Sequence, residues 1–479
     1  MKKNRVFVAI YISLFGMIAA AYLIGVLYYS ERFLPNTTIE GFDCSNKTVA
    51  DVSDMVRKEA LNYTVEVYGR VDGEGTRGLI ISMTGKDMGI KLPDLESNVY
   101  ASLKTQNPFL WIGVLADRYY EPELDKAIVF DEEKISELIT GSKYFKKENM
   151  VQPVSASVGE FNEESGEYEI DPGIVGNVLF VKGAVKQITE ACEGLAQVVE
   201  LGEESYKEQG IRADNKKLNE GVNKANKMLA ACITYDWNGT EVKVDINVIK
   251  DWITFSGFEP EIDESALSKF VDEMAYANDT YGKRRNFMTS LGFELELPSG
   301  AYGWKTDRSI EKPALLELIT KGAVVEKEPE YVTKGYVKGR NDIGDSYVEI
   351  NLTDQHLYLY MDGEVILESD FVSGNVSNGN TTPPGVFGIT YKQQDAVLRG
   401  ANYETHVKYW MPFNGNIGMH DATWRRNFGG DIYLTNGSHG CVNLPLKKAK
   451  EIYSYMESGF PVVCYYYEQE PVEEVEVVY

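Results

Sequence analysis

The alternation of apolar and polar residues divides the chain into segments of different character. Val6 to Tyr29 is apolar for 24 residues, interrupted only by Ser13 and two glycines, long enough as a helix to cross a hydrocarbon core. A signal-peptide apolar region stops at about 15 residues, and Ser30-Glu31-Arg32 follows where a small-residue cleavage site would stand. The pattern therefore predicts an uncleaved transmembrane helix over 6–29, then a short stalk at Phe33-Leu34-Pro35-Asn36. Beyond it the spacing predicts a helix from Val49 to Ala60 and strands at Tyr63–Tyr68 and Leu79–Ile81, separated by a glycine-rich turn at Asp72–Gly78.

The middle of the chain repeats. Val129-Phe130-Asp131-Glu132, followed by Ile135, Leu138 and Ile139, matches Glu261-Ile262-Asp263-Glu264, followed by Leu267, Phe270 and Val271, 132 positions later (263 − 131). The two aspartates are placed to cap amphipathic helices. Tyr168-x-x-Asp171 matches Trp304-x-x-Asp307 at an offset of 136 (304 − 168), each ahead of another helical pattern. The pattern predicts two α+β modules, over 30–205 and 206–325, that carry no histidine and no reactive cluster. Rigid spacing and specific ligand binding are both compatible with them.

A charged stretch at 326–344, punctuated by proline and glycine, is predicted as a linker, and from 345 to 467 the pattern turns to strands. Tyr347–Leu352 and Leu357–Tyr360 alternate, Asp362-Gly363 marks a hairpin, and strands follow at Glu364–Val372, Val386–Tyr391, Lys408–Pro412 and Pro461–Tyr465. One helix is predicted there, Leu446–Ser458, with Pro445 at its start and Gly459 and Pro461 at its end. The acidic end, 468–479, is predicted to be frayed.

Charge narrows the partners. The net charge is −25, and with Lys2, Lys3 and Arg5 ahead of the apolar run the remainder carries about −28 (−25 − 3). That field repels phosphate backbones, so nucleic acid is not a partner. The same cations hold residues 1–5 in the cytoplasm and place the rest outside. Five cysteines, at 44, 192, 232, 441 and 464, are too few and too odd in number for a disulfide scaffold.

The chemistry concentrates in the last third, which holds all four histidines, His356, His406, His420 and His439. Cysteine is a nucleophile as thiolate, and an imidazole both takes its proton and returns it to a leaving group, so Cys441 beside His439 and His420 predicts acyl transfer. A helix start just after Cys441 would favour the thiolate. Gly440 would free the amides of Gly440 and Cys441 to face an oxyanion. Zinc is the competing use of these residues, but neither a CxxC nor an HExxH pattern is present, so no metal and no cofactor is predicted.

His420, seventeen intervening residues (438 − 420 − 1) and Ser438-His439-Gly440-Cys441-Val442-Asn443 resemble the signature of L,D-transpeptidases with a YkuD-type catalytic domain, and Thr382-Pro383-Pro384-Gly385-Val386-Phe387 is similar to that domain's Thr-Pro-x-Gly-x-Phe segment. Phe287–Gly292 and Ala301-Tyr302-Gly303-Trp304 resemble the peptidoglycan-binding modules that precede such domains in Gram-positive, membrane-anchored members. The resemblance implies a YkuD-like β-sandwich and attack by Cys441 on a tetrapeptide stem of peptidoglycan, releasing D-Ala. A neighbouring stem would then take the acyl group to give a 3→3 cross-link. It implies His420 as base, oriented by a backbone carbonyl such as that of Asp421, and His439 as a further catalytic residue that shapes the site or assists protonation. Ser438 and Asn443 would hold the loop, and Trp424 and Arg425 would cover the substrate. An L,D-carboxypeptidase and a non-catalytic wall-binding scaffold are the alternatives.

Overall fold

The computed structural model describes residues 2–39, 41–115, 128–400 and 403–468; the acidic end from 469 onward lies outside them. The chain folds as two compact units, one of residues 1–159 and 170–219 and the other of residues 160–169 and 220–479.

The first unit begins with α1 (Lys2–Tyr29), whose 6–29 stretch is the one helix among the described residues long and apolar enough to cross a membrane. Phe33 and Leu34, expected in a stalk, are buried, and Phe33 joins Ile39, Val52 and Val99 in a small core. Apolar side chains of that size leave water when a core is within reach, so the domain starts directly after the helix.

The repeat is visible as topology. In the first copy α2 (Val49–Asn62) leads into an antiparallel pair, β1 (Thr64–Arg70) and β2 (Arg77–Thr84). Then come α3 (Glu132–Gly141), a hairpin of β3 (Ser157–Asn162) and β4 (Glu167–Asp171), α4 (Val181–Glu193) and β5 (Val198–Glu200), which pairs parallel to β1. The second copy runs α5 (Lys216–Leu229), β6 (Cys232–Trp237), β7 (Thr240–Val244), α6 (Glu264–Asn278), a hairpin of β8 (Arg285–Met288) and β9 (Glu294–Leu297), α7 (Arg308–Lys321) and β10 (Val324–Lys327), parallel to β6. The three-stranded sheets thus have β1 and β6 at their centres.

Asp131 and Asp263 cap α3 and α6 through their side chains. The second pairing is different. Asp307 caps α7, but Asp171 ends β4 and accepts only from the Gly173 amide, while α4 starts at Phe180 without a side-chain cap. The helices themselves are 127 apart (308 − 181). Two short polar-aromatic motifs coincided in sequence without being equivalent in space.

The C-terminal domain is a sandwich. One sheet orders β13 (Glu364–Asp370), β12 (His356–Met361), β11 (Tyr347–Asn351), β19 (Pro461–Tyr465) and β14 (Gly385–Gly388); the other orders β15 (Gln393–Gly400), β16 (Tyr403–Asn414), β17 (Ile417–Asp421) and β18 (Val442–Leu444). Between them pack Val348, Ile350, Leu357, Phe371, Met411, Met419, Val442, Phe460 and Val462, with Ala449 and Ile452 of α8 (Leu446–Tyr455).

β11 is buried on both faces, which its alternating sequence does not predict. The second module covers its outer face. Glu349 there is fully buried and accepts from the Ser290 amide and hydroxyl and from the Tyr465 hydroxyl, so its lone pairs are satisfied away from water. Phe287 packs beside Val463 and Tyr465. The 326–344 stretch is likewise no loose tether. Tyr331–Thr333 pairs with Lys305–Thr306, and Asp342 is buried against Arg285 and Thr280. Its charges satisfy a buried interface, which composition alone reads as solvated.

Candidate active site

The site is built on adjacent strands. β17 and β18 run parallel with His420 opposite Asn443. Side chains two apart share a face, so Cys441, which leads into β18, projects on the same side as Asn443 and His420. On the other flank β16 pairs antiparallel with β17, setting Trp410 opposite His420 with ring centroids 5.8 Å apart. Cys441 packs against the same cluster of Trp410, Ala396 and Val407. Trp410 is the site residue that the sequence reading missed. Asn414-Gly415 is a hairpin signal, and reading it as the β16–β17 turn would have placed Trp410 across from His420.

His420 is buried and its tautomer is set from both sides. Nδ1 lies 2.9 Å from the Asp421 carbonyl, which can only accept, and Nε2 lies 3.1 Å from the Asn443 amide nitrogen. Nδ1 therefore carries the proton and Nε2 offers a lone pair. Arg425 donates from Nε to Asn443 Oδ1 at 2.8 Å and from Nη1 to the Asn436 carbonyl, which fixes which end of the Asn443 amide faces the imidazole. Arg425 thereby ties the Asn443 side chain to the loop at Asn436. Trp424 is half exposed, with its ring 6.0 Å from that of His420.

The loop before the cysteine is tied by side chains. Ser438 Oγ accepts from the Gly440 amide at 3.0 Å and donates to the Cys441 carbonyl at 2.5 Å. Thr382 donates to the Gly440 carbonyl at 2.8 Å and accepts from the Gly374 amide. Gly440 has φ +118°, and a Cβ there would stand 3.3 Å from Ile417, so the turn requires glycine. The Gly440 amide is held by Ser438, and the Gly418 amide acts on the sulfur to favour the thiolate. His439 is exposed.

Two sequence expectations change here. α8 begins five residues after Cys441, with β18 and its buried Asn443 between them. The helix terminus thus contributes nothing at the thiol, since its field fades within a turn. Nor is the thiol activated at rest. Its Sγ donates to the Asn416 carbonyl at 3.6 Å, and burial pushes its pKa up to about 11, with the Gly418 amide opposing. Burial likewise lowers His420, against the hydrogen bond to the Asp421 carbonyl. Both shifts favour a neutral thiol beside a neutral imidazole.

The other histidines stand elsewhere: His356 bonds Asp370 and Glu368 on the far sheet, and His406 is exposed on β16 near Glu404. Among the described residues no group of three or more His, Cys, Asp or Glu side chains is placed to hold a metal.

Residues 345–464 match the family model of the L,D-transpeptidase catalytic domain, YkuD, and residues 213–325 match one described as "Putative peptidoglycan binding domain". No match to a curated protein was found. Among solved structures, the chain is similar to a mutant L,D-transpeptidase of Enterococcus faecium at 32% identity, covering 51% of this chain and 100% of that one with a TM-score of 0.44. It is similar to the catalytic domain of the E. faecium enzyme acylated by ertapenem at 43% identity, covering 26% and 98% with a TM-score of 0.24. An L,D-transpeptidase of Stackebrandtia nassauensis is 29% identical over 25% of this chain and 55% of that one, with a TM-score of 0.22.

Proposed function

This chain belongs to the L,D-transpeptidases with a YkuD catalytic domain, and we propose that it forms 3→3 cross-links between peptidoglycan stems while anchored in the membrane by α1. The observation that carries the chemistry is the sharing of one sheet face by Cys441 and a His420 whose Nε2 lone pair is presented by the Nδ1 bond to Asp421.

A neutral resting pair needs a general base at the moment of attack. Nε2 exchanges its bond from Asn443 for the thiol proton as Sγ adds to the carbonyl joining residue three of a tetrapeptide stem to D-Ala. The oxyanion meets backbone donors beside Sγ, of which the Gly418 amide is one. Collapse breaks the C–N bond, the imidazolium returns its proton to the leaving D-Ala amine, and a thioester remains. An amine of a second stem then attacks the thioester and gives a proton to Nε2. Sγ departs with that proton, and the 3→3 amide is complete. Ser438, Thr382 and Gly440 hold the nucleophile; Arg425 and Asn443 hold the base.

The anchoring reading rests on the 24 apolar residues of α1, and the wall-facing location rests on the module matched at 213–325. Incubating the full chain with a disaccharide tetrapeptide tests the reaction: a cross-linked dimer with D-Ala released supports it, and tripeptide without dimer supports an L,D-carboxypeptidase. A carbapenem, the class that acylates the E. faecium domain, is expected to add its mass to the wild type and not to Cys441→Ala. An unmodified wild type would leave the scaffold reading.

A further inference from the structure

α1 does not enter the first unit alone. Pro108–Leu110 forms a 3-10 turn that continues into the short α turn Trp111–Val114, and the two lie against the last third of α1. The Trp111 indole covers Gly25 so closely that a Cβ there would come within 2.3 Å of it. Trp111 Nε1 donates to the Tyr22 carbonyl at 3.2 Å, and the Tyr22 hydroxyl donates to the Phe109 carbonyl at 2.8 Å. Trp111 also stacks near Tyr22 and Tyr29, and Val114 packs with Tyr29 and Leu34. The segment is therefore fastened to the helix, and its outward side chains are all apolar: Phe109, Leu110, Ile112 and Leu115 are 57, 50, 51 and 59% exposed. From Pro108 to Leu115 there is no charged residue.

Water is an unfavourable neighbour for four such side chains on one turn. The depth of the contact says what covers them. At 1.5 Å per residue, Tyr22 and Gly25 lie about 10 and 6 Å below Tyr29 along the helix. The 24-residue run spans about 36 Å, against a hydrocarbon core of about 30 Å. Centred on that core, the run extends about 3 Å beyond it at each end, so Gly25 stands about 3 Å and Tyr22 about 7 Å inside the hydrocarbon, just below the level where tryptophan and tyrosine concentrate. Lipid also demands that buried polar groups be satisfied within the protein, and the Trp111 and Tyr22 hydrogen bonds meet that demand at this level.

We propose that residues 108–115 are a second membrane-contacting element, immersed in the outer leaflet beside α1, with Phe109, Leu110, Ile112 and Leu115 facing the lipid. This rests on the anchoring reading of α1. With two elements in the bilayer, the first unit is held at the surface with one face toward the lipid instead of swivelling on a single helix.

The test is the full chain in phosphatidylglycerol vesicles doped with a lipid whose acyl chain carries a diazirine, photolysed and mapped by peptide mass spectrometry. Label on 6–29 and on 108–115 supports the proposal. Label on 6–29 with 108–115 no higher than an exposed polar segment, such as 163–167, overturns it and leaves the anchor standing. Label on neither removes the anchor and the proposal together. Phe109→Asp with Ile112→Asp, which leaves Trp111 in place, is expected to lower labelling of 108–115 at least fivefold without lowering that of 6–29; unchanged labelling of 108–115 would also overturn it.

Discussion

Raising the pH is the most direct perturbation of the active site, because the structure places the resting thiol far from ionisation. With its pKa pushed up to about 11 by burial, Cys441 would be thiolate in roughly three molecules in ten thousand at about pH 7.5. Thiolate absorbance near 240 nm, recorded as the difference between wild type and Cys441→Ala, is expected to rise with a midpoint about two pH units above an ordinary thiol. Attack then depends on His420 taking the proton. Burial lowers the pKa of His420 from its ordinary value, so the base is protonated, and acylation lost, only as the pH falls below about 6.5. The acylation rate with a carbapenem should stay level from about pH 8 down to that point. His420→Ala should slow it by about 10²–10⁴. A thiolate midpoint below about pH 8, or an acid limb centred above about pH 7, would refute the neutral pair and restore a preformed ion pair.

Three further outcomes follow from packing. Asp342→Ala leaves the buried Arg285 guanidinium without its carboxylate and should cost about 3–5 kcal/mol in denaturant unfolding of the second unit; the pair Asp342→Leu with Arg285→Met should cost less than that single change, and the reverse order would contradict the buried-charge account. Arg425→Met frees the Asn443 amide to turn away from His420 and is expected to lower kcat about tenfold with KM and the thermal midpoint nearly unchanged; a loss confined to KM would restore a substrate contact. Gly440→Ala forces an L side chain to φ +118° and against Ile417, at a cost on the order of 1–3 kcal/mol, and acylation at the wild-type rate would show that the loop can re-form.

Local patterns were the readable part of this chain. The caps Asp131 and Asp263, the hairpin at Asp362-Gly363 and the strands from Tyr347 onward depend on near neighbours, and the structure has them. The offset pairing of Asp171 with Asp307 failed because a four-residue match carries no information about which side chain reaches a helix end. The helix expected from Leu446 is present, but the strand that separates it from Cys441 was not read from the sequence. Val442–Leu444 pairs with β17, and a three-residue strand drawn in by a distant partner leaves no periodic pattern of its own.

The sequence by itself determined the long apolar helix, the two repeats and the clustering of Cys441, His420 and their motif, since each is a property of residue type and spacing. Only the tertiary structure decided what those groups experience. The neutral pair, the Arg425–Asn443–His420 chain, Trp410 across from the base, Glu349 and Asp342 buried at the module boundary and the Phe109–Leu115 turn against α1 all join residues far apart in the chain. Burial and hydrogen-bond geometry set charge state and orientation, and both depend on which distant segments are packed alongside.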